Sequence, residues 1–327
     1  MFRYVARRLL WLIPTLLLVT FLVYVALRLG TNPVASYKRT NPRASKAKVA
    51  QYIEVNGLYT GVGGYVRGYF QWLKGFLTLD WPRSIKGNVD VFVKLKQALA
   101  NSLRLGLTAT FFGILIGNLL GIAAALKPGR LRDATVNTGA LIGLAIPPFV
   151  TSIILQIVFS VQWQKWFGNS LFPTSGIYPP GHKGFDPVLM AKHMVLPVIV
   201  VAIQSIATYS RYMRASLLEV LNSDYMRTAR SKGISERRVL TRHALRNALI
   251  PVTTLAFLDI GGVVGGLIIT EGLFEYPGMG RFFLLAYENG DFPQMMPWMV
   301  VIITSVVVFN LFADMAYAWL DPRISLD

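Results

Sequence analysis

Few side chains in this sequence are placed to do covalent chemistry. The histidines are His182, His193 and His243, far apart along the chain, and no metal site is expected from them. Cysteine is absent, which excludes disulfides, thiolate catalysis and cysteine zinc sites. No acid, base and nucleophile cluster together, so no catalytic residue is assigned. The pattern G-x-x-x-x-G-K-[ST] does not occur, so the chain has no P-loop for ATP. What is concentrated is positive charge. "DYMRTARSKGISERRVLTRHALRNALIP" runs from Asp224 to Pro251, between two of the most apolar stretches of the chain.

The elements that must position this segment are apolar. Of the 327 residues, 54% are hydrophobic, in runs longer than a soluble domain of this size needs. The net charge of +17 could point to nucleic acid, but the charge sits in loops between the apolar runs. Such placement suits the anionic inner leaflet of a membrane. A span needs roughly 20 apolar residues. Six runs qualify: 9–29, 102–126, 134–161, 194–212, 248–270 and 296–320. The first follows the basic opening "MFRYVARR" and has an apolar core too long for a signal peptide, so a retained anchor is expected. The fold class is therefore an all-α integral membrane protein with six transmembrane helices.

An even number of spans places both termini on one side. "KPGRLRD" (127–133) and the opening are densely basic, which assigns the termini and basic loops to the cytoplasm and the chain to the cell (inner) membrane. Three parts follow: 1–30, the start and first span; 31–100, a long extracytoplasmic segment; and 101–327, five further spans with the loop 213–247. Within 31–100, "YVRGYFQWLKGFLTLDW" (65–81) mixes aromatics and charges and is too short and too polar to span. It reads either as an amphipathic piece at the headgroups or as a platform for an external partner. "IPP" (146–148) removes backbone donors and should kink the third span, at a place where other helices or a cavity satisfy the freed groups. "GGVVGG" (261–266) stacks small residues four apart, which permits close helix packing.

In the basic segment, Asn222, Ser223 and Asp224 are all good N-caps, and Asp224 suits the positive end of a helix dipole. Residues 225–232 favour a short helix that Gly233 stops, and Ser235 can cap the next one. So short a helix is marginal alone and needs lipid headgroups or a cytosolic protein to pack against.

"RTARSKG" (227–233) resembles the cytoplasmic loop of permease subunits of bacterial ABC importers, Glu-Ala-Ala, three residues, then Gly. Ala229 and Gly233 match; Arg227 stands for the usual Glu and Thr228 for the first Ala, and Pro251 lies farther on than in the general pattern. That form is the one of the oligopeptide and dipeptide permeases. "DYMRTARSKG", "HALRNALIP" (243–251), "GGLIITEGLFEYPGMGR" (265–281), the basic opening, "IPPF" (146–149) and the closing "DPR" (321–323) all resemble this branch, and most of all its B-type subunit.

The resemblance implies a non-catalytic subunit, with ATP and Mg on partner chains and no cofactor of its own. It implies a coupling helix between the fourth and fifth spans that docks on cytoplasmic ATPases through Asp224, Tyr225, Arg227, Thr228, Ala229, Arg230, Lys232 and Gly233. The other implied partners are a second homologous permease, two ATPase domains in all, an extracytoplasmic peptide-binding protein received on the outer segment at Tyr69 and Trp72, and membrane lipid; nucleic acid is not among them. "EYPGMGR" (275–281) is expected as a turn-rich element near the pathway mouth. Asp259 lies mid-span, where a carboxylate costs about 2.5–3.5 kcal/mol to insert. It either packs, hydrogen-bonded, on another helix or faces the pathway with Gly262 and Gly266, where it attracts a cationic group. Alternatives are nickel chelates or glutathione as cargo, or a self-powered secondary transporter, against which the scarcity of ionisable residues in the spans speaks.

Overall fold

The computed structural model describes residues 2–320, and the side chains of residues 10–316. "DPR" at 321–323 and the side chains of the basic opening lie outside the described residues. Thirteen helices follow in order: α1 (Phe2–Thr31), α2 (Pro33–Thr40), α3 (Lys46–Val55), α4 (Val62–Leu77), α5 (Val91–Ala125), α6 (Leu131–Ala145), α7 (Pro148–Phe167), α8 (Pro187–Leu221), α9 (Asp224–Ser231), α10 (Glu236–Gly265), α11 (Ile268–Leu273), α12 (Met279–Asn289) and α13 (Phe292–Leu320). No strand occurs among the described residues. A π-helical turn interrupts α7 at Ile157–Gln162 and α10 at Val239–Ala244.

Five helices are long and apolar enough to cross a membrane, and α6 with α7 makes a sixth span if the bent pair counts as one. That pair is broken more sharply than a proline kink, by 94°. Pro148 starts α7, and the residue before it, Pro147, is extended (φ −61°, ψ 143°), as a residue preceding proline prefers. The carbonyls freed at the break are satisfied by another helix, since Gln204 Nε2 of α8 donates to Gly143 O at 2.9 Å and to Ile146 O at 3.0 Å. Other boundaries shift: α5 begins at Val91, well before 102, and α10 already ends at Gly265 rather than running to 270. Gly266 has φ 88°, and a Cβ there would collide with the backbone of Gly280, so the chain turns away from the helix at this residue.

The chain divides into two compact units. The first comprises residues 1–103, 264–272 and 277–307. Between the end of α1 and the start of α5 at Val91, the segment folds here as three helices, α2, α3 and α4. The face of α4 that carries Tyr69 and Trp72 packs with Tyr24 of α1 and with Phe292 and Met295 of α13. The Tyr69 and Thr20 hydroxyls lie 2.7 Å apart, and Tyr24 donates to Gly57 O at 2.7 Å. Gly57 (φ 65°) and Gly68 touch through bare backbone; a Cβ on Gly57 would come within 2.8 Å of Gly68 Cα. Arg28 lies over the Tyr65 ring at 4.2 Å and donates to Tyr59 O, tying the end of α1 to the segment that follows. Tyr69 and Trp72 of residues 65–81 are thus covered by protein, while Val66, Phe70, Leu77 and Leu79 stay exposed.

The second unit comprises residues 104–263, 273–276 and 308–327. Here α5 lays Gly113, Gly117 and Gly121 against Ser205, Tyr209 and Met213 of α8. A Cβ on Gly117 would stand 2.7 Å from Tyr209 Cβ, and one on Gly121 2.8 Å from Met213 Cβ. Small residues four apart allow this approach between membrane helices. The core continues through Leu217, Met226, Ala229, Val239, Ala244, Ala248 and Val252, so that α9 and the start of α10 are folded onto the end of α8.

Candidate functional site

The short helix α9 follows α8 after two residues, Asn222 and Ser223. Asp224 occupies its first turn, where a carboxylate favours the helix dipole. The helix ends at Ser231, and Gly233 (φ 73°) adopts the left-handed conformation with open space where a Cβ would stand. Its apolar residues turn inward: Met226 is fully buried and Ala229 nearly so. This corrects the expectation for Ala229, whose methyl packs in the intramolecular core instead of on a free surface. Asp224, Tyr225, Arg227, Thr228, Arg230 and Lys232 are exposed. Tyr225 Oη accepts from Asn247 Nδ2 of α10 at 2.9 Å, and Arg230 Nε meets Glu236 Oε1 at 3.0 Å, which pins α9 to the following helix. The Arg227–Asp224 pair, 3.8 Å apart and exposed on both sides, adds little.

Asp259 is exposed on α10, one turn from Gly262, beside which nothing lies within 4 Å of a Cβ position. The hydroxyl of the fully buried Tyr209 of α8 donates a hydrogen bond to Asp259 Oδ2 at 2.6 Å. The carboxylate is hydrogen-bonded to another helix, and the residue keeps an exposed side. Gly261, one residue before Gly262, serves packing instead, for a Cβ there would stand 2.8 Å from Phe309 Cβ. Gly266, at φ 88°, is the turn that follows the helix. Tyr69 and Trp72, expected on an outer docking surface, are 2% and 4% exposed and hold the core of the first unit. They cannot offer contact area to a partner.

Three polar centres escaped the sequence reading. Asp133, at the start of α6, receives Arg214 Nε and Nη2 of α8 at 2.5 and 2.8 Å, with Gly129 N at 2.9 Å and Asn137 Nδ2 at 2.7 Å. Glu271, fully buried, accepts from Ser102 Oγ at 2.6 Å, Leu267 N at 3.1 Å, Gly280 N at 2.7 Å and Arg281 N at 3.2 Å, and so fixes the start of α12. Ser102 Oγ also accepts from Met279 N at 2.7 Å. Asp291, also buried, receives Ser84 Oγ, Ile85 N and Gln294 Nε2. Burial pushes the Asp291 carboxyl above the ordinary carboxylate range, and the hydrogen bond from Ser84 pulls it back in part. Tyr52 is raised by its own burial and by the nearby Asp291. No group of three or more His, Asp or Glu suited to a metal occurs among the described residues. The turn in "EYPGMGR" is present between α11 and α12, with Tyr276 buried and Glu275 at φ 47°.

Residues 117–326 match the family model for the binding-protein-dependent transport system inner membrane component. The oligopeptide transport system permease protein AppB of Bacillus subtilis is 37% identical over 322 residues, 98% of each chain. The dipeptide transport system permease proteins DppB of Alkalihalophilus pseudofirmus and Escherichia coli K12 are 33% and 30% identical over 99% of each chain. Among solved structures, an inward-facing crystal form of the MetNI methionine ABC transporter superimposes with a TM-score of 0.51 at 16% identity, over 70% of this chain and 97% of that one, a likeness of fold. With a family match across most of the chain and full-length relatives above 30% identity, this protein belongs to the binding-protein-dependent transport system inner membrane components, the permease subunits of ABC transporters.

Proposed function

We propose that this chain is one half of the membrane pathway of an ATP-driven peptide importer in the cell membrane, with both termini, the loop 127–133 and α9 on the cytoplasmic side. The observation that carries the reading is α9 itself: a short helix with an exposed polar side, fastened by Met226 and Ala229 to the ends of two long apolar helices. A push on that side is passed directly to α8 and α10, which hold Tyr209 and Asp259. The chain has no P-loop, so the push must come from ATPase domains on other chains. A second permease completes the pathway and an extracytoplasmic binding protein delivers cargo. The names of its full-length relatives support peptides as that cargo.

With Tyr69 and Trp72 buried, the binding protein is received by exposed residues of 31–100. The test is reconstitution. Membranes expressing the neighbouring transport genes should yield a complex in which ATPase chains co-elute with this one, and liposomes containing it should take up peptide only with ATP inside. Uptake by the isolated chain without ATP would refute the reading.

A further inference from the structure

Helix α10 carries a row of arginines that the coupling role leaves unused. Arg238, Arg242 and Arg246 are exposed, and none has an ion-pair partner among the described residues. The π-helical turn Val239–Ala244 aligns them. A turn closed by i→i+5 bonds advances by roughly 80° per residue, against about 100° in an α-helix. The three side chains therefore leave the helix within about 30° of one line, where an unbroken α-helix would spread them over about 80°. The opposite side of the same stretch is the buried one, with Val239, Ala244 and Ala248 in the core. Three residues beyond Arg246 the exposed side becomes apolar at Leu249, and the helix enters its spanning part.

From this we infer that the row Arg238–Arg242–Arg246 is a binding surface for the headgroups of anionic phospholipids. Depth decides in favour of lipid over a protein partner. From Arg246 back to Arg238 the rise is at most about 12 Å, and the headgroup layer on each side of a bilayer is about 5–8 Å thick. Arg242 and Arg246 lie within that layer beside the apolar boundary, and the long arginine stem lets Arg238 reach it. Of the α9 cations, Arg230 is already paired with Glu236 at 3.0 Å, before the row begins. Guanidinium forks fit phosphate oxygens, and each basic side chain near an anionic surface strengthens attachment roughly fivefold.

The test uses the purified full chain in a neutral detergent, with phosphatidylglycerol or phosphatidylcholine added and bound lipid counted by native mass spectrometry alongside thermal midpoint. Phosphatidylglycerol should bind and raise the midpoint, phosphatidylcholine should not, and the gain should shrink as sodium chloride rises from about 0.05 to 0.5 M. Arg238→Gln, Arg242→Gln and Arg246→Gln together should remove most of the bound phosphatidylglycerol. The matching triple lysine variant should retain much of it, and Arg237→Gln, off the line, nearly all. Equal effects of the two lipids on the wild-type chain would overturn the inference even if the glutamine variant does not fold. So would undiminished phosphatidylglycerol on a folded glutamine variant that fails to co-elute with ATPase chains, which would assign the row to a protein partner.

Discussion

The Tyr209 hydroxyl donates a hydrogen bond to Asp259 Oδ2 at 2.6 Å, and the buried ring of the one holds the exposed carboxylate of the other. The tyrosine fixes the carboxylate on a side of α10 that Gly262 leaves open. Asp259→Asn keeps shape and acceptor and removes charge. Uptake of cationic peptides should fall by about fivefold more than that of neutral ones, as expected for loss of one partly solvated charge contact. Tyr209→Phe should give a smaller loss with the same preference. Competition uptake with matched cationic and neutral peptides measures both. Equal loss for all peptides, with poor assembly, would make Asp259 a packing residue.

Positions in and beside α9 should separate coupling from folding. Gly233 is left-handed, so Gly233→Val strains the backbone by about 1–2 kcal/mol. Ala229→Asp places a charge inside a packed core and should lower both thermal midpoint and complex yield. Thr228→Trp, on the exposed side, should leave the midpoint unchanged while uptake per ATP hydrolysed falls. Arg227→Ala should do little to either. Normal coupling in Thr228→Trp would place ATPase docking off this helix.

The reading of the sequence reached the spans, the break at "IPP" and the short helix before Gly233, because length, proline and glycine leave local marks. It missed what depends on partners distant in sequence. Gly113, Gly117 and Gly121 are spaced for close packing, as Gly261 and Gly265 are, but only the helix laid against them reveals which surface they serve. Tyr69 and Trp72 look the same on paper whether a binding protein or Tyr24 covers them. Ala229 reads on paper as a docking residue, and the structure packs its methyl in the intramolecular core. Glu271 gave no sign that four donors from 102, 267, 280 and 281 would converge on it.

Asp291 should make the first unit sensitive to pH. Its folded-state carboxyl is raised above the unfolded value by burial. The stability it contributes is therefore complete below the unfolded value, near pH 4, and is lost as pH rises through the raised one. Asp291→Asn keeps an acceptor for Ser84 and Ile85 and cannot ionise. Its thermal midpoint should match the wild type near pH 4 and equal or exceed it at pH 8, with a flatter profile between. A midpoint at pH 8 well below that of wild type would show that the ionised carboxylate stabilises the unit.

Asp133 and Arg214 should behave as a unit in stability and in transport. The carboxylate is 6% exposed in its side chain, and the guanidinium that approaches it in two-pronged fashion is 28% exposed. Removing one partner of such a pair strands a charge; with the guanidinium partly exposed the cost stays below the ~3–5 kcal/mol of a fully buried pair, and removing both costs much less. Arg214→Met should therefore lower the thermal midpoint sharply, and adding Asp133→Asn should restore a good part of the loss. Arg214 stands on α8 ten residues before α9 begins, so the pair also ties α6 to the helix that leads into the coupling segment. If that tie carries motion, the double variant will be stable and will hydrolyse ATP, yet move less peptide for each ATP spent. If stability and the transport ratio both return, the pair only holds the helices together. Additive losses in the midpoint would show that Asp133 and Arg214 do not interact in the folded chain.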